Sequence, residues 1–190
     1  MAAARLHKMN LPNALAFSRI LIAPVVFFLL VNRGLFEGVH PTWPDFFAAL
    51  LFTIASITDF FDGMIARLFG QSTKLGSILD PLADKLLMLS AFLGLALIDR
   101  ANAWAVFIIL GREFFITGLR VAAAAEGKAV GASNLGKWKT GAQIAACIAL
   151  IVSWFPYLGD ILLWLAVVMT VWSGFEYVRD YAHLQSEVNR

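Results

Sequence analysis

Apolar residues in this chain come in long unbroken blocks, and the polar residues gather between them. Six blocks approach membrane-spanning length: about Leu15 to Val31, Phe46 to Arg67, Pro81 to Ile98, Ala103 to Ala123, Thr140 to Phe155 and Ile161 to Val178. A helix crossing a hydrocarbon core of about 30 Å needs roughly 20 residues. Breakers separate the blocks: Gly34, Gly38, Pro41 and Pro44 in the first gap, Gly70 and Gly76 in the second, and Gly127, Gly131 and Gly136 in the fourth. Pro156 and Gly159 make the fifth. The pattern predicts an all-α integral membrane protein of six transmembrane helices. It forms a single domain over residues 1–190, with no internal repeat, low-complexity segment or linker.

Composition sharpens this picture. Hydrophobic residues make up 60% of the 190 and charged residues 15%, too apolar a balance for a soluble domain of this size. The net charge of +2 argues against a polyanion-binding surface, so no nucleic-acid partner is expected. Lys and Arg concentrate in the N-terminal arm (Arg5, Lys8), the second gap (Arg67, Lys74), the fourth gap and its edges (Arg120, Lys128, Lys137, Lys139) and the tail (Arg179, Arg190). The other gaps hold only Arg33 and Arg100. Positive residues stay inside, so both termini and the even-numbered loops are expected to be cytoplasmic. Trp43, Trp104, Trp138 and Trp154 fall at predicted span ends, where interfacial anchors belong. Residues 1–12 mix basic and apolar side chains without a following cleavage site. They read as a retained juxtamembrane arm able to lie on the inner surface as a short interfacial helix. The lone Cys147 reads as a small membrane-buried residue. His7, His40 and His183 are isolated and outside any cluster.

Candidate chemistry concentrates in DFFDGMIARLFGQSTKLGSILDPLADK, from Asp59 to Lys85. Asp59 and Asp62 lie three apart near the end of the second span, and Asp80 and Asp84 four apart at the start of the third, so each pair shares a helix face. The connecting segment is short, which makes these helices antiparallel neighbours. Counted inward from it, Asp59 and Asp84 should reach similar depth, with Asp62 and Asp80 at a shallower level. Four carboxylates in a low-dielectric setting need protons or cations. Hard divalent ions with oxygen ligands, Mg²⁺ or Mn²⁺, meet that need, and two such ions suit displacement at phosphorus. Gly63, Ala66 and Gly76 leave room beside the carboxylates, and Arg67 adds a cation suited to a diphosphate.

These residues resemble the signature of the CDP-alcohol phosphotransferases, D-x2-D-G-x2-A-R-x8-G-x3-D-x3-D. Asp59, Asp62, Gly63, Ala66, Arg67, Gly76, Asp80 and Asp84 match it without departure. The resemblance implies a six-helix membrane core, a homodimer among membrane lipids, and release of CMP. It implies that Asp59, Asp62 and Asp80 bind metal. Asp84 would also touch a metal and serve as general base. Gly63, Ala66, Arg67, Thr73 and Gly76 would line the CDP-diacylglycerol pocket. The flanking strings NLPNALAFSR, DPLADK, REFFITGLR and GKWKT are similar to the bacterial branch of the family that phosphatidylates sn-glycerol 3-phosphate at the inner membrane.

The residues themselves suit an anionic acceptor. Arg112 lies near the middle of the fourth span and must face a cavity or partner rather than lipid. Arg120 follows two turns later, and Lys137 and Lys139 open the fifth span. Together they form a candidate site for the acceptor phosphate. The alternative is that Arg112 pairs with Glu113 or Glu176, both of which read as structural ion-pair residues. Asn13 and Arg19 can approach the nucleotide from the first span. Two competing functions remain at this level: the same transfer to inositol phosphate, serine or phosphatidylglycerol, and divalent-cation transport along the aspartates. Transport fits poorly with the absence of a repeat and with carboxylates clustered toward one face.

Overall fold

The computed structural model describes residues 11–36, 38, 40, 42–69, 76–125, 134–155 and 157–188; side chains at 11–12, 59–69, 76–78, 134–135 and 184–188 lie outside the description. Among the described residues six α-helices follow one another: α1 Leu11–Val31, α2 Thr42–Phe69, α3 Gly76–Leu97, α4 Ala103–Ala125, α5 Asn134–Val152 and α6 Leu158–Val188, with a short 3₁₀ turn at Arg33–Phe36. No strand occurs among the described residues. Residues 1–10 of the expected interfacial arm over 1–12 lie outside the described residues, and Leu11 and Pro12 belong to α1.

Each apolar block became one helix, but the ends moved. α2 starts at Thr42, four residues before the block at Phe46. Ahead of it, His40 Nδ1 lies 2.8 Å from Thr42 Oγ1. α4 is capped by Asn102, whose Oδ1 accepts from the backbone N–H groups of Trp104 (3.0 Å) and Ala105 (3.2 Å). α5 stops at Val152, short of the expected Phe155, because Ser153 adopts a left-handed backbone (φ 53°). α6 runs ten residues past Val178, to Val188. The apolar pattern marks only where lipid contact ends; the helix continues on its own hydrogen bonds.

One ion cluster sets the helix directions. Asp45, at the start of α2, is paired with Arg33 from the turn after α1, and its Oδ2 lies 3.0 Å from Arg100 Nη1 in the segment after α3. Arg100 Nη1 also donates to the Ile151 carbonyl at the end of α5, at 2.7 Å. The C-terminal ends of α1, α3 and α5 therefore meet the N-terminal end of α2 at one pole, and the chain is an alternating up-and-down bundle. Burial and the nearby Arg100 lower the Arg33 pKa from its ordinary value, and Asp45 acts in the opposite sense.

α1 packs along both α2 and α3, more extensively than those two pack on each other, while α5 packs chiefly on α6. The core runs through Leu30, Phe52, Leu87, Phe92, Leu95, Ile109, Ile151 and Leu163, all essentially inaccessible. Cys147 is buried among them. Two close approaches depend on glycine. A Cβ on Gly94 would sit 3.0 Å from Leu30 Cδ1, and one on Gly159 would sit 2.5 Å from Leu150 Cδ2.

Much of the outer surface is apolar. Leu21, Phe107, Phe115, Val168, Trp172 and Phe175 are each at least 60% exposed. So much open apolar surface is stable against lipid rather than water. By length and composition, Asn13–Val31 and Leu158–His183 can cross a bilayer. The other helices carry most of the charged residues considered next.

Candidate active site

The third helix positions the described half of the aspartate motif. Asp80 lies in its second turn, with Oδ1 3.6 Å from Nη2 of Arg19 on α1. Arg19 is fully buried, so α1 delivers a cation to the carboxylates from inside the bundle. At 3.6 Å this is an ion pair and not a hydrogen bond. Asp80 Oδ1 is itself buried and, among the described residues, accepts no hydrogen bond. An ionised carboxylate oxygen in that state is costly unless a cation supplies what hydrogen bonds do not. One turn on, Asp84 borders a narrow cleft with Lys85, Met88, Leu110, Glu113, Phe114, Thr140 and Gln143. Hard oxygen donors on adjacent turns, one of them lacking a donor partner, fit a divalent ion.

The α2 half of the motif carries Asp59, Asp62, Gly63, Ala66 and Arg67 on backbone that is helical. Their side chains, and that of Gly76, lie outside the description, and Thr73 lies in the 70–75 segment outside the described residues. The expected depth pairing of Asp59 with Asp84 and Asp62 with Asp80 falls on these side chains. Among the described residues no three acidic, His or Cys side chains form a metal-sized group; Asp80 and Asp84 are the described pair.

On the far side of the Asp84 cleft stands Glu113 of α4. Its Oε2 receives Lys85 Nζ from α3 at 3.2 Å. Its Oε1 receives Arg112 Nη1 at 3.3 Å, Gln143 Nε2 from α5 at 3.4 Å, and a close contact from Lys139 Nζ of α5. The network continues into α6. Arg112 Nη2 donates to Ser173 Oγ at 3.0 Å, Gln143 Nε2 to Thr170 Oγ1 at 2.9 Å, and Ser173 Oγ to the Thr170 carbonyl at 3.1 Å. Arg112 lies flat on Gly174, where a Cβ would approach Nε to 3.1 Å.

The four cations expected at the acceptor phosphate thus occupy different settings. Arg112 and Lys139 are inward and paired with Glu113. Arg120 lies over the Tyr177 ring, 5.2 Å from its centroid. Lys137 is exposed near the start of α5. Arg112 with Glu113 is the pairing held open by the sequence; Glu176 makes no ion pair among the described residues. Sequence reasoning passed over Lys85, Gln143, Thr170 and Ser173. Gln143, Thr170 and Ser173 are polar residues within otherwise apolar helices, and that signal was available. Asn13 and Arg19 are both buried on α1, with Arg19 at the carboxylates.

Comparison with known proteins identifies the family of this helical bundle. The model of the CDP-alcohol phosphatidyltransferase family matches residues 9–172, and the chain belongs to that family. Its relatives include the CDP-diacylglycerol–glycerol-3-phosphate 3-phosphatidyltransferase of Bacillus subtilis (strain 168), 42% identical over 179 residues, covering 88% of this chain and 93% of that protein. Proteins of the same name from Rickettsia typhi (37% identical, covering 90% of this chain and 96% of that protein) and Shigella flexneri (37%, 89% and 93%) are also similar.

Proposed function

We propose that this chain transfers the phosphatidyl group of CDP-diacylglycerol to sn-glycerol 3-phosphate, giving phosphatidylglycerophosphate and CMP. The observation that carries this reading is the shared cleft: the motif carboxylate Asp84 faces the side of the bundle where Glu113 gathers three cations. A hydroxyl to be deprotonated and a phosphate to be held belong on one small acceptor, and the names of the relatives agree with that acceptor.

In the reaction, the acceptor hydroxyl oxygen attacks the phosphorus that bears diacylglycerol. The new P–O bond forms as the bond to the CMP oxygen breaks, and the hydroxyl proton passes to Asp84. Asp59, Asp62, Asp80 and Asp84 would hold two divalent ions, Mg²⁺ or Mn²⁺, whose charge offsets that of the diphosphate and of the departing CMP. Arg67, with Gly63, Ala66, Thr73 and Gly76 around it, would line the CDP-diacylglycerol pocket. Arg19 backs Asp80 and keeps it oriented. Arg112, Arg120, Lys137 and Lys139 would bind the acceptor phosphate, Arg120 and Lys137 directly from the open side and the others from within. The apolar outer surface supports six membrane spans, with the catalytic pole and both termini at the cytoplasmic face of a bacterial inner membrane. A homodimer in the lipid bilayer completes the proposal.

The test is an acceptor screen. Purified protein is given CDP-diacylglycerol and Mg²⁺ with sn-glycerol 3-phosphate, inositol phosphate, serine or phosphatidylglycerol, and CMP release and lipid product are measured. sn-Glycerol 3-phosphate should give the highest kcat/KM by a wide margin. Preference for another acceptor reassigns the substrate. CMP release with none of them, together with cation flux into liposomes without nucleotide, overturns the enzymatic reading.

A further inference from the structure

A second cavity lies at the end of the bundle away from Asp80. It holds about 320 Å³, within the usual range for small-ligand sites. Its lining is Thr42, Trp43, Asp45 and Phe46 of α2, with Val152 and Trp154 at the end of α5. Trp43 stacks on Phe47 (centroids 5.6 Å apart) and meets Phe46 edge-on (5.9 Å), so α2 holds that wall in place. The other wall follows Ser153, whose left-handed backbone ends α5, and its Trp154 is 76% exposed. Asp45 brings two arginines to the cavity. Arg33 uses Nε on the Leu30 carbonyl and Nη2 on Asp45, and Arg100 uses Nη1 on the Ile151 carbonyl and Asp45. A guanidinium has five N–H donors, so both arginines keep donors to spare, and their side chains are 34% and 24% exposed. Asp99 and Asp160, the exposed acids at this end, pair with neither arginine among the described residues. Along α3 the rise from Asp80 to Leu97 is about 25 Å, close to the hydrocarbon thickness of about 30 Å. The cavity therefore belongs to the opposite membrane interface from the aspartates, in the headgroup layer where Trp side chains gather.

We propose that this cavity is a structural binding site for one membrane phospholipid, its phosphodiester held by Arg33 and Arg100 and its glycerol and upper acyl chains laid against Trp43, Phe46 and Trp154. The site is independent of the proposed reaction. A phosphodiester presents two anionic oxygens, which guanidinium forks meet with charge-assisted hydrogen bonds. Asp45 already holds both forks on one carboxylate, so neither has to be ordered when the lipid arrives. The rings supply apolar walls at the depth where a phospholipid passes from headgroup to chain. Below them, exposed Phe47, Leu50 and Ile54 continue along one face of α2 and give the chains a path toward mid-membrane. A free phosphate meets the same arginines but gains nothing from the rings or from that path. Once bound, the lipid bridges the start of α2 and the end of α5, so its loss acts on stability and not on chemistry.

The test uses the full-length protein, stripped of lipid in detergent micelles, with Arg33→Gln, Trp154→Ala and Arg179→Gln beside the wild type. Arg179 is an exposed cation near the far end of α6 and controls for general charge attraction. Each protein is titrated with phosphatidylglycerol, with diacylglycerol of the same chains, and with inorganic phosphate. Native mass spectrometry reads the bound lipid, and a melt reads the thermal midpoint. Wild type should bind phosphatidylglycerol about tenfold more tightly than diacylglycerol, the value of one charge-assisted contact, and its midpoint should rise as the site fills. Arg33→Gln and Trp154→Ala should each weaken phosphatidylglycerol binding about tenfold and flatten that rise, while Arg179→Gln should match wild type. Wild-type affinity in both variants overturns the inference, and so does an equal loss in Arg179→Gln. Displacement of phosphatidylglycerol by inorganic phosphate at cellular concentration assigns the arginines to a soluble anion and overturns the lipid. If Arg33→Gln does not fold, Trp154→Ala decides alone, and unchanged binding there overturns the inference equally.

Discussion

Two ion clusters in the bundle solve the same electrostatic problem to different ends. At one pole Asp45 is shared by Arg33 and Arg100, and Arg100 also satisfies the last carbonyl region of α5 at Ile151. Its members come from loops and helix ends, so the cluster pins termini that would otherwise fray. Near mid-bundle Glu113 is shared by Lys85, Arg112 and Lys139, all from helix interiors. That cluster borders the Asp84 cleft. A carboxylate among cations is a staple where its partners tie helix ends, and part of a reaction site where it stands beside a reactive group.

Four predictions test that contrast, in descending order of effect. The largest concerns the carboxylates opposite Glu113. Asp84→Asn should cut turnover about 10²–10⁴-fold, the range for loss of a general base, while the protein still inserts and unfolds at its normal temperature. Asp80→Asn should behave similarly, and exhaustive EDTA treatment should abolish activity in a way that Mg²⁺ or Mn²⁺ restores. Full activity after chelation would remove the metal from the proposal.

Next are the open cations of the catalytic pole. Arg120→Ala and Lys137→Ala should each raise the acceptor KM about tenfold, the value of one charge-assisted contact, with the CDP-diacylglycerol KM little changed. Separate titration of the two substrates checks this; loss of affinity for the liponucleotide alone would move these cations to the other pocket.

The opposite pole should respond in stability and not in chemistry. Asp45→Asn leaves Arg33 and Arg100 facing each other with a weaker partner and should cost about 1–3 kcal/mol. A thermal melt in detergent measures the loss, and kcat/KM of the surviving enzyme should equal that of wild type. An acceptor-specific kinetic change in Asp45→Asn would erase the distinction between the poles.

The smallest effect is one of packing. Gly159→Ala forces Leu150 to move and should cost about 1 kcal/mol or slightly more. Melting temperature again serves as the readout, and an unchanged value would mean that the α5–α6 turn adjusts freely.

Much of this protein is legible along the chain because the determinants are local. A block of apolar residues becomes a helix wherever it sits, so Leu15 to Val31 and Ala103 to Ala123 foretold α1 and α4 to within a few residues. The spacing from Asp59 to Asp84 is a short-range pattern across one helical hairpin, and it identified the family before any contact was known. Helix ends were less legible: Ser153 ends α5 through its backbone conformation, which apolar content does not encode.

What only the tertiary structure decided is which charges meet. Lys85 finds Glu113 across 28 positions, Arg112 finds Ser173 across 61, and Arg100 finds Ile151 across 51. Arg19 and Asp80 meet because α1 packs along α3. A charged side chain within an apolar helix announces that it must have a partner, since leaving it unpaired in low dielectric is too costly. It does not announce which one. That choice depends on helix rotation and neighbour order, which the packing of Phe52, Phe92 and Leu163 fixes together across the whole bundle.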